Sequence, residues 1–260
     1  MTGLVRVALE PPAAIVTLCR PESANALSEA LLDELIAAGE LLAGYHGIRA
    51  VILTALGDRA FCAGADLKER LRLTEPDVRR ILAKYREGLA WVTQCPVPVV
   101  AAINGSAFGG GLELALMCDL RVAVAHAQFA LPETTLGIIP GAGGTQRLSR
   151  LIGVARASEM ILLGGRIDAG QALSFGLVNR VTEPGVPVLQ DTLRWLNPIL
   201  TGAPIAIRAA VSVLRGASDW PLSEGLDHER TAYEQCLTSD DRVEALRAFT
   251  EKRTAQFKGR

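Results

Sequence analysis

Gly109-Gly110-Gly111-Leu112-Glu113, with Leu114-Ala115-Leu116-Met117 behind it, is the stretch on which the fold turns. Successive glycines let the backbone bend sharply and bring its N–H groups close to a ligand. The apolar run that follows predicts a buried helix. The glycines then form the helix N-terminus, where unpaired N–H groups and the dipole favour negative charge. Glu113 falls in the first turn. Such a site can stabilise a developing anion and handle a proton beside it. The same residues would also serve as a helix–strand packing joint with a solvated glutamate, because glycine runs alone are weak motifs.

Upstream, 99–103 reads as a strand opened by Pro96 and Pro98, leading through Asn104-Gly105 into the glycines. Downstream, 120–124 reads as another strand, and Glu133 follows Leu131-Pro132. Pro140-Gly141-Ala142-Gly143-Gly144 is a second glycine-rich loop, with Thr145 as the expected cap of a helix holding Leu148 and Leu151. Segments 5–9 and 14–18 predict a hairpin about Pro11-Pro12. Asn25 or Ser28 caps a helix over 29–42, and 51–54 is an apolar strand of a sheet buried on both faces. An amphipathic helical region spans 67–93 with a break at 74–76. The rest is mostly helical, with a short strand at 178–181, a break at 202–204 and helices over 222–236 and 240–254. The pattern is α/β with a helical C-terminal third.

The 260 residues are 49% hydrophobic and 21% charged, with net charge −1. A large core is expected and global disorder is not. Nothing in the charge points to nucleic acid or an anionic membrane. Five scattered cysteines, with no C-x-x-C pair, predict reduced thiols and no metal site. Residues 1–10 lack a signal-peptide pattern, and the expected compartment is the cytoplasm. The three histidines are far apart, and no P-loop or dinucleotide fingerprint is present. Arg79, Arg80, Lys84 and Arg86 are interleaved with acids and read as a solvated face.

A second informative loop is Phe61-Cys62-Ala63-Gly64-Ala65-Asp66. Its small residues permit close backbone approach. With the Gly110 N–H it could supply two main-chain donors to one oxygen, each contributing on the order of 3 kcal/mol in such holes. Glu113 and Glu133 are the acid–base candidates. One helix and one strand separate them, so the chain can return and bring them together. They could divide the work of adding water if their environments separate their pKa values. Glu113 at a helix N-terminus is expected to stay ionised. Glu133, among Leu131, Pro132 and Leu136, is expected to protonate more easily.

Taken together, residues 60–69, Ala102-Ile103-Asn104-Gly105 with the glycine run, and Pro132-Glu133 with 137–148 resemble the enoyl-CoA hydratase/isomerase (crotonase) superfamily. The resemblance covers nearly the whole chain. It implies a crotonase-like spiral of repeated ββα units over 1–200, holding the CoA and active sites. It implies a C-terminal helical trimerisation region over 201–260, and homotrimers or hexamers built as dimers of trimers. It implies an acyl-CoA thioester substrate, with CoA as part of that substrate and no separate cofactor. Ala65 and Gly110 match the oxyanion-hole donors, and Glu113 and Glu133 the two hydratase carboxylates. The implied CoA and substrate contacts are Ala24, Ala63, Asp66, Leu67, Lys68, Gly109, Pro132 and Gly141, with Phe249 and Lys252 reaching a neighbouring subunit's CoA. Glu22 stands where some hydratases carry a lysine, which removes one CoA contact.

Having both carboxylates favours an enoyl-CoA hydratase, adding water reversibly and syn across C2=C3. Residues 61–70, 109–116 and 241–246 are also similar to methylglutaconyl-CoA hydratases. That reading needs a partner for a distal carboxylate, which the sequence does not identify. An enoyl-CoA isomerase, a hydratase with secondary RNA binding and a non-catalytic trimer are the alternatives, and net charge −1 disfavours RNA.

Overall fold

The computed structural model describes residues 3–260; Met1 and Thr2, part of the start read above, lie outside the described residues. The hairpin forms as expected, from β1 (Val5–Glu10) and β2 (Ala13–Leu18). Eight further strands follow. They are β3 (Ala50–Ala55), β4 (Ala60–Cys62), β5 (Val99–Ile103), β6 (Ser106–Phe108), β7 (Leu120–Ala123), β8 (Gln128–Ala130), β9 (Ile167–Asp168) and β10 (Arg180–Val181).

Two sheets result, in the orders β1-β2-β3-β5-β7-β10 and β4-β6-β8-β9. β3, β5 and β7 run parallel in the larger sheet, and β4, β6 and β8 run parallel in the smaller. β3, β5 and β7 are each followed within a few residues by a short strand of the other sheet, β4, β6 and β8. Parallel neighbours require a crossover, which helical segments supply. Repetition of strand, strand and helix carries the chain around in a spiral.

The unbroken apolar runs explain the centre. β2, β3 and β5 are buried along their whole length, as both faces of a covered parallel sheet require. Alternate residues separate the faces. Val51, Leu53, Val99, Ala101 and Ile103 pack into the main core beneath the helix Glu29–Ala43. Ile52, Val100, Ala102 and Val122 pack on the opposite face against Val188 and Leu196.

Local chemistry sets the helix ends. Ser28 caps Glu29–Ala43, accepting the Leu31 N–H at 3.3 Å. Asn25, the other candidate, instead sits at φ 52° and donates to the Leu56 and Ala60 carbonyls. The region 67–93 divides into Leu67–Arg70, Glu75–Ala83, a π-helical turn Lys84–Gly88 and Ala90–Gln94. Thr74 and Asp77 form a capping box at the expected break. Three of its basic residues are paired, Arg79 with Glu75, Arg80 with Glu29, and Lys84 with Glu29 and Asp33.

The C-terminal helices Pro204–Leu214, Leu222–Leu237 and Asp240–Glu251 lean on the core through two arginines. Arg49 donates to the carbonyls of Leu200, Gly202 and Phe257 at 2.9–3.1 Å. Arg215 forks onto Asp119 at 2.7 and 2.8 Å. The five cysteines are all free. Among the described residues no helix is long and apolar enough to cross a membrane.

Candidate active site

The glycine run joins β6 to the helix Gly110–Met117. Gly109 has φ 50° and donates its N–H to the Ala130 carbonyl at 2.9 Å, which fixes the turn against β8. Gly110 is the first helical residue, so its N–H has no partner within the helix. Gly111 lies so close to β4 that a β-carbon there would stand 2.1 Å from the Cys62 carbonyl oxygen. Only glycine lets the helix seat at that depth.

The loop after β4 presents the second donor. Leu27 pairs with Ala65 in an isolated parallel bridge. The bridge uses the Gly64 carbonyl, which accepts the Leu27 N–H at 2.8 Å, and the Asp66 N–H, which donates to Leu27 at 3.4 Å. Ala65's own N–H therefore points to the opposite side of the strand, where Ala65 lines the cavity. Gly64, at φ 88°, touches the glycine turn. A β-carbon on it would lie 2.7 Å from the Phe108 carbonyl oxygen and 3.1 Å from the Gly110 nitrogen. The Ala65 and Gly110 N–H groups thus border one opening.

That opening belongs to a cavity of about 1020 Å³, large enough for a small molecule or part of a larger one. Glu113 and Glu133 both line it and are both buried. Glu113 Oε1 accepts the N–H groups of Ala142 at 2.8 Å and Gly144 at 2.7 Å. Gly144 begins the helix Gly144–Ile152, whose N-cap is Gly143 at φ 100°. Thr145, the expected cap, lies inside the first turn instead. A carboxylate from another element takes the capping role, and the second glycine loop is bent to meet it.

Burial pushes the Glu113 pKa up, and this outweighs the downward pull of the Gly144 and Ala142 N–H groups. The cause is withdrawal of the side chain from water, which the position at a helix N-terminus does not offset. Glu133 follows the expectation. Burial, with a smaller contribution from the nearby Glu113 charge, raises its pKa to about 7. Glu133 Oε2 is buried with no hydrogen-bond partner. Its other oxygen would lie 3.0 Å from a β-carbon on Gly109, so the carboxyl group faces the glycine turn.

Of the residues expected at the site, Ala63, Ala65, Leu67, Gly109, Gly110, Glu113, Pro132, Glu133 and Gly141 line this cavity. Three lie just behind it. The Ala24 carbonyl accepts the Ala63 N–H at 3.0 Å. Asp66 caps Leu67–Arg70 and pairs with Arg20 at 2.7 Å, which holds its carboxyl below the usual range. Lys68 is exposed on the same short helix. Phe249 and Lys252 end the last helix, exposed and away from the cavity. Leu82 and Tyr85, from the helical region expected to wall the acyl pocket, also line the cavity, as do Arg70 and Arg166, which sequence reasoning missed. Arg70 carried a signal, being one turn beyond the helix-capping Asp66. Among the described residues no three His, Cys, Asp or Glu side chains cluster as metal ligands.

Comparison with known proteins agrees with this geometry. The profile of the family described as enoyl-CoA hydratase/isomerase matches residues 11–260. The chain is 48% identical over 246 residues to YngF of Bacillus subtilis, whose name places it among the enoyl-CoA hydratase/isomerases, covering 95% of this chain and 94% of that one. It is 39% identical to the mitochondrial methylglutaconyl-CoA hydratase of Mus musculus, covering 94% and 79%. The crystal structure of an enoyl-CoA hydratase from Bacillus anthracis superposes with a TM-score of 0.95 at 44% identity, covering 99% and 100%. Two carboxylates and two free backbone donors on one cavity, within this spiral, are carried by a chain that belongs to the enoyl-CoA hydratase/isomerase family.

Proposed function

We propose that this chain hydrates 2-enoyl-CoA thioesters. One observation carries the reading: two buried carboxylates share a cavity with two unengaged N–H groups, and Glu133 has a pKa of about 7. The thioester oxygen sits between the Ala65 and Gly110 N–H groups. Water attacks C3 and gives its proton to Glu113, whose raised pKa makes it a better acceptor. The electron pair of the double bond moves towards the thioester oxygen as an enolate, which the two donors stabilise. The C2–C3 bond is single from that point; when the enolate collapses, the thioester C=O re-forms and the C1=C2 electron pair takes a proton from Glu133 at C2. Glu113 and Glu133 line the same cavity, and their acting from one side of the substrate would give syn addition. An isomerase needs no water and would act on 3-enoyl-CoA.

The reading is tested by loss of the conjugated thioester absorbance on crotonyl-, long-chain 2-enoyl- and 3-methylglutaconyl-CoA. Turnover of at least one is expected, and no turnover on any of the three defeats the reading. A pH dependence follows from the donor role of Glu133. Only its protonated form gives a proton to C2. That form dominates below about 7 and is lost as pH rises through that value. Hydration kcat/KM is therefore expected to fall tenfold per pH unit well above it, while the reverse dehydration prefers the ionised form. A hydration rate flat from pH 6 to pH 9 removes Glu133 from this role.

We also propose that 201–260 forms the assembly region beside a core of 1–200. Leu214, Leu222, Leu226, Leu246 and Phe249 are all more than half exposed on these helices, which leaves an apolar surface to cover. Phe249 and Lys252 would then reach a neighbour's CoA. Light scattering is expected to give three or six chains per particle, and a monomer at micromolar concentration contradicts this.

A further inference from the structure

Arg70 ends the short helix Leu67–Arg70 and lines the cavity with Val78, Leu82 and Tyr85. It is half-buried. Among the described residues its guanidinium has no carboxylate within ion-pairing distance, whereas Arg79, Arg80 and Lys84 nearby are all paired. The cavity's other arginine, Arg166, is exposed, stacks 4.8 Å from the Phe108 ring centre and donates to Gln128 at 3.4 Å.

Arg70 stands near the reacting end. It lines the same cavity as Glu113, Glu133 and Tyr85, and its charge opposes part of the rise that burial gives the pKa values of Glu133 and Tyr85. The pantetheine arm holds the CoA phosphates away from the reacting carbons, so they are poor partners for a cation placed here. A hydrocarbon tail is a poor partner too. It would strip water from the guanidinium and return no hydrogen bond. A carboxylate at the far end of the acyl chain would match the planar fork of donors. It would also need such a cation, because the carboxylate of Glu113 repels a second anion entering the same cavity.

We infer that Arg70 selects 2-enoyl thioesters that carry a carboxylate at the far end of the acyl chain. The inference rests on the hydratase reading above. Its test compares glutaconyl-CoA with the isostere in which an isopropyl group replaces the carboxylate, in the wild type and in R70M and R70K. The wild type is expected to favour glutaconyl-CoA in kcat/KM. R70M should lower the ratio of the two values by about ten- to a hundredfold, the worth of a charge-assisted hydrogen bond. R70K should lower it less, since it keeps the charge and loses the fork. A ratio that R70M leaves unmoved overturns the assignment. So does an equal loss on both thioesters, which would place Arg70 on the CoA phosphates or in balancing Glu133. No turnover of either thioester by a wild type that hydrates crotonyl-CoA overturns the assignment too, whereas failure on crotonyl-, long-chain 2-enoyl- and 3-methylglutaconyl-CoA alike overturns the hydratase reading itself.

Discussion

Glu113→Gln is expected to lower hydration kcat by about 10²- to 10⁴-fold, the usual worth of a positioned acid or base. The substitution is informative because it separates two duties of the side chain. Oε1 caps the helix Gly144–Ile152 through the Ala142 and Gly144 N–H groups. A carboxamide oxygen in the same place accepts both bonds, so the helix remains capped. What is lost is the capacity to take a proton from water. The variant should therefore fold with a Tm close to wild type while turnover collapses. Glu113→Ala should lose turnover and stability together, since two buried donors are then left without an acceptor, at about 1–3 kcal/mol each. Stopped assays on crotonyl-CoA and thermal melts check both. Turnover of Glu113→Gln within a few-fold of wild type would remove this residue from the mechanism.

Gly64→Ala is expected to lower kcat/KM by about 10²-fold or more, with no titratable group altered. The methyl group would press on the Phe108 carbonyl at 2.7 Å and on the Gly110 nitrogen at 3.1 Å, both backbone atoms. Neither can swing aside as a flexible side chain would. The Ala65 and Gly110 donors must then part, and loss of one such donor costs about 10²–10³ in kcat. The residue also sits at φ 88°, where a side chain adds strain. Circular dichroism should retain the wild-type spectrum, and the pH dependence of the remaining activity should be unchanged, because Glu133 is untouched. Wild-type kcat/KM in a folded Gly64→Ala protein would mean that these two N–H groups do not act as one hole.

The fold was legible wherever burial imposes composition. β5 is bounded as the apolar run 99–103 requires, and the glycines after it mark the turn into the central helix. The carboxylate pair was legible because its elements are short and contiguous. The π turn Lys84–Gly88 was not. It arises where this segment meets the helix Glu29–Ala43, with Gly88 against Ile36 and Gly39 against Trp91, and no local pattern encodes that meeting. Capping by Glu113 was hidden for a related reason. Thr145 has the right side chain, but Gly143 has the right conformation, and the acceptor comes from a residue far earlier in the chain. Strand order across two sheets likewise depends on packing partners that periodicity does not name.

The bonds from Ala142 and Gly144 to Glu113 also set an order in time. A nascent or refolding chain can complete β3 through β7 and the central helix while the Glu113 side chain still has no fixed direction. The base acquires its orientation only when the loop before Gly144–Ile152 docks. Regain of enzymatic turnover is thus a clock for that docking, which a signal from the central strands does not report. A substitution that slows closure of this loop would delay function without changing the final structure.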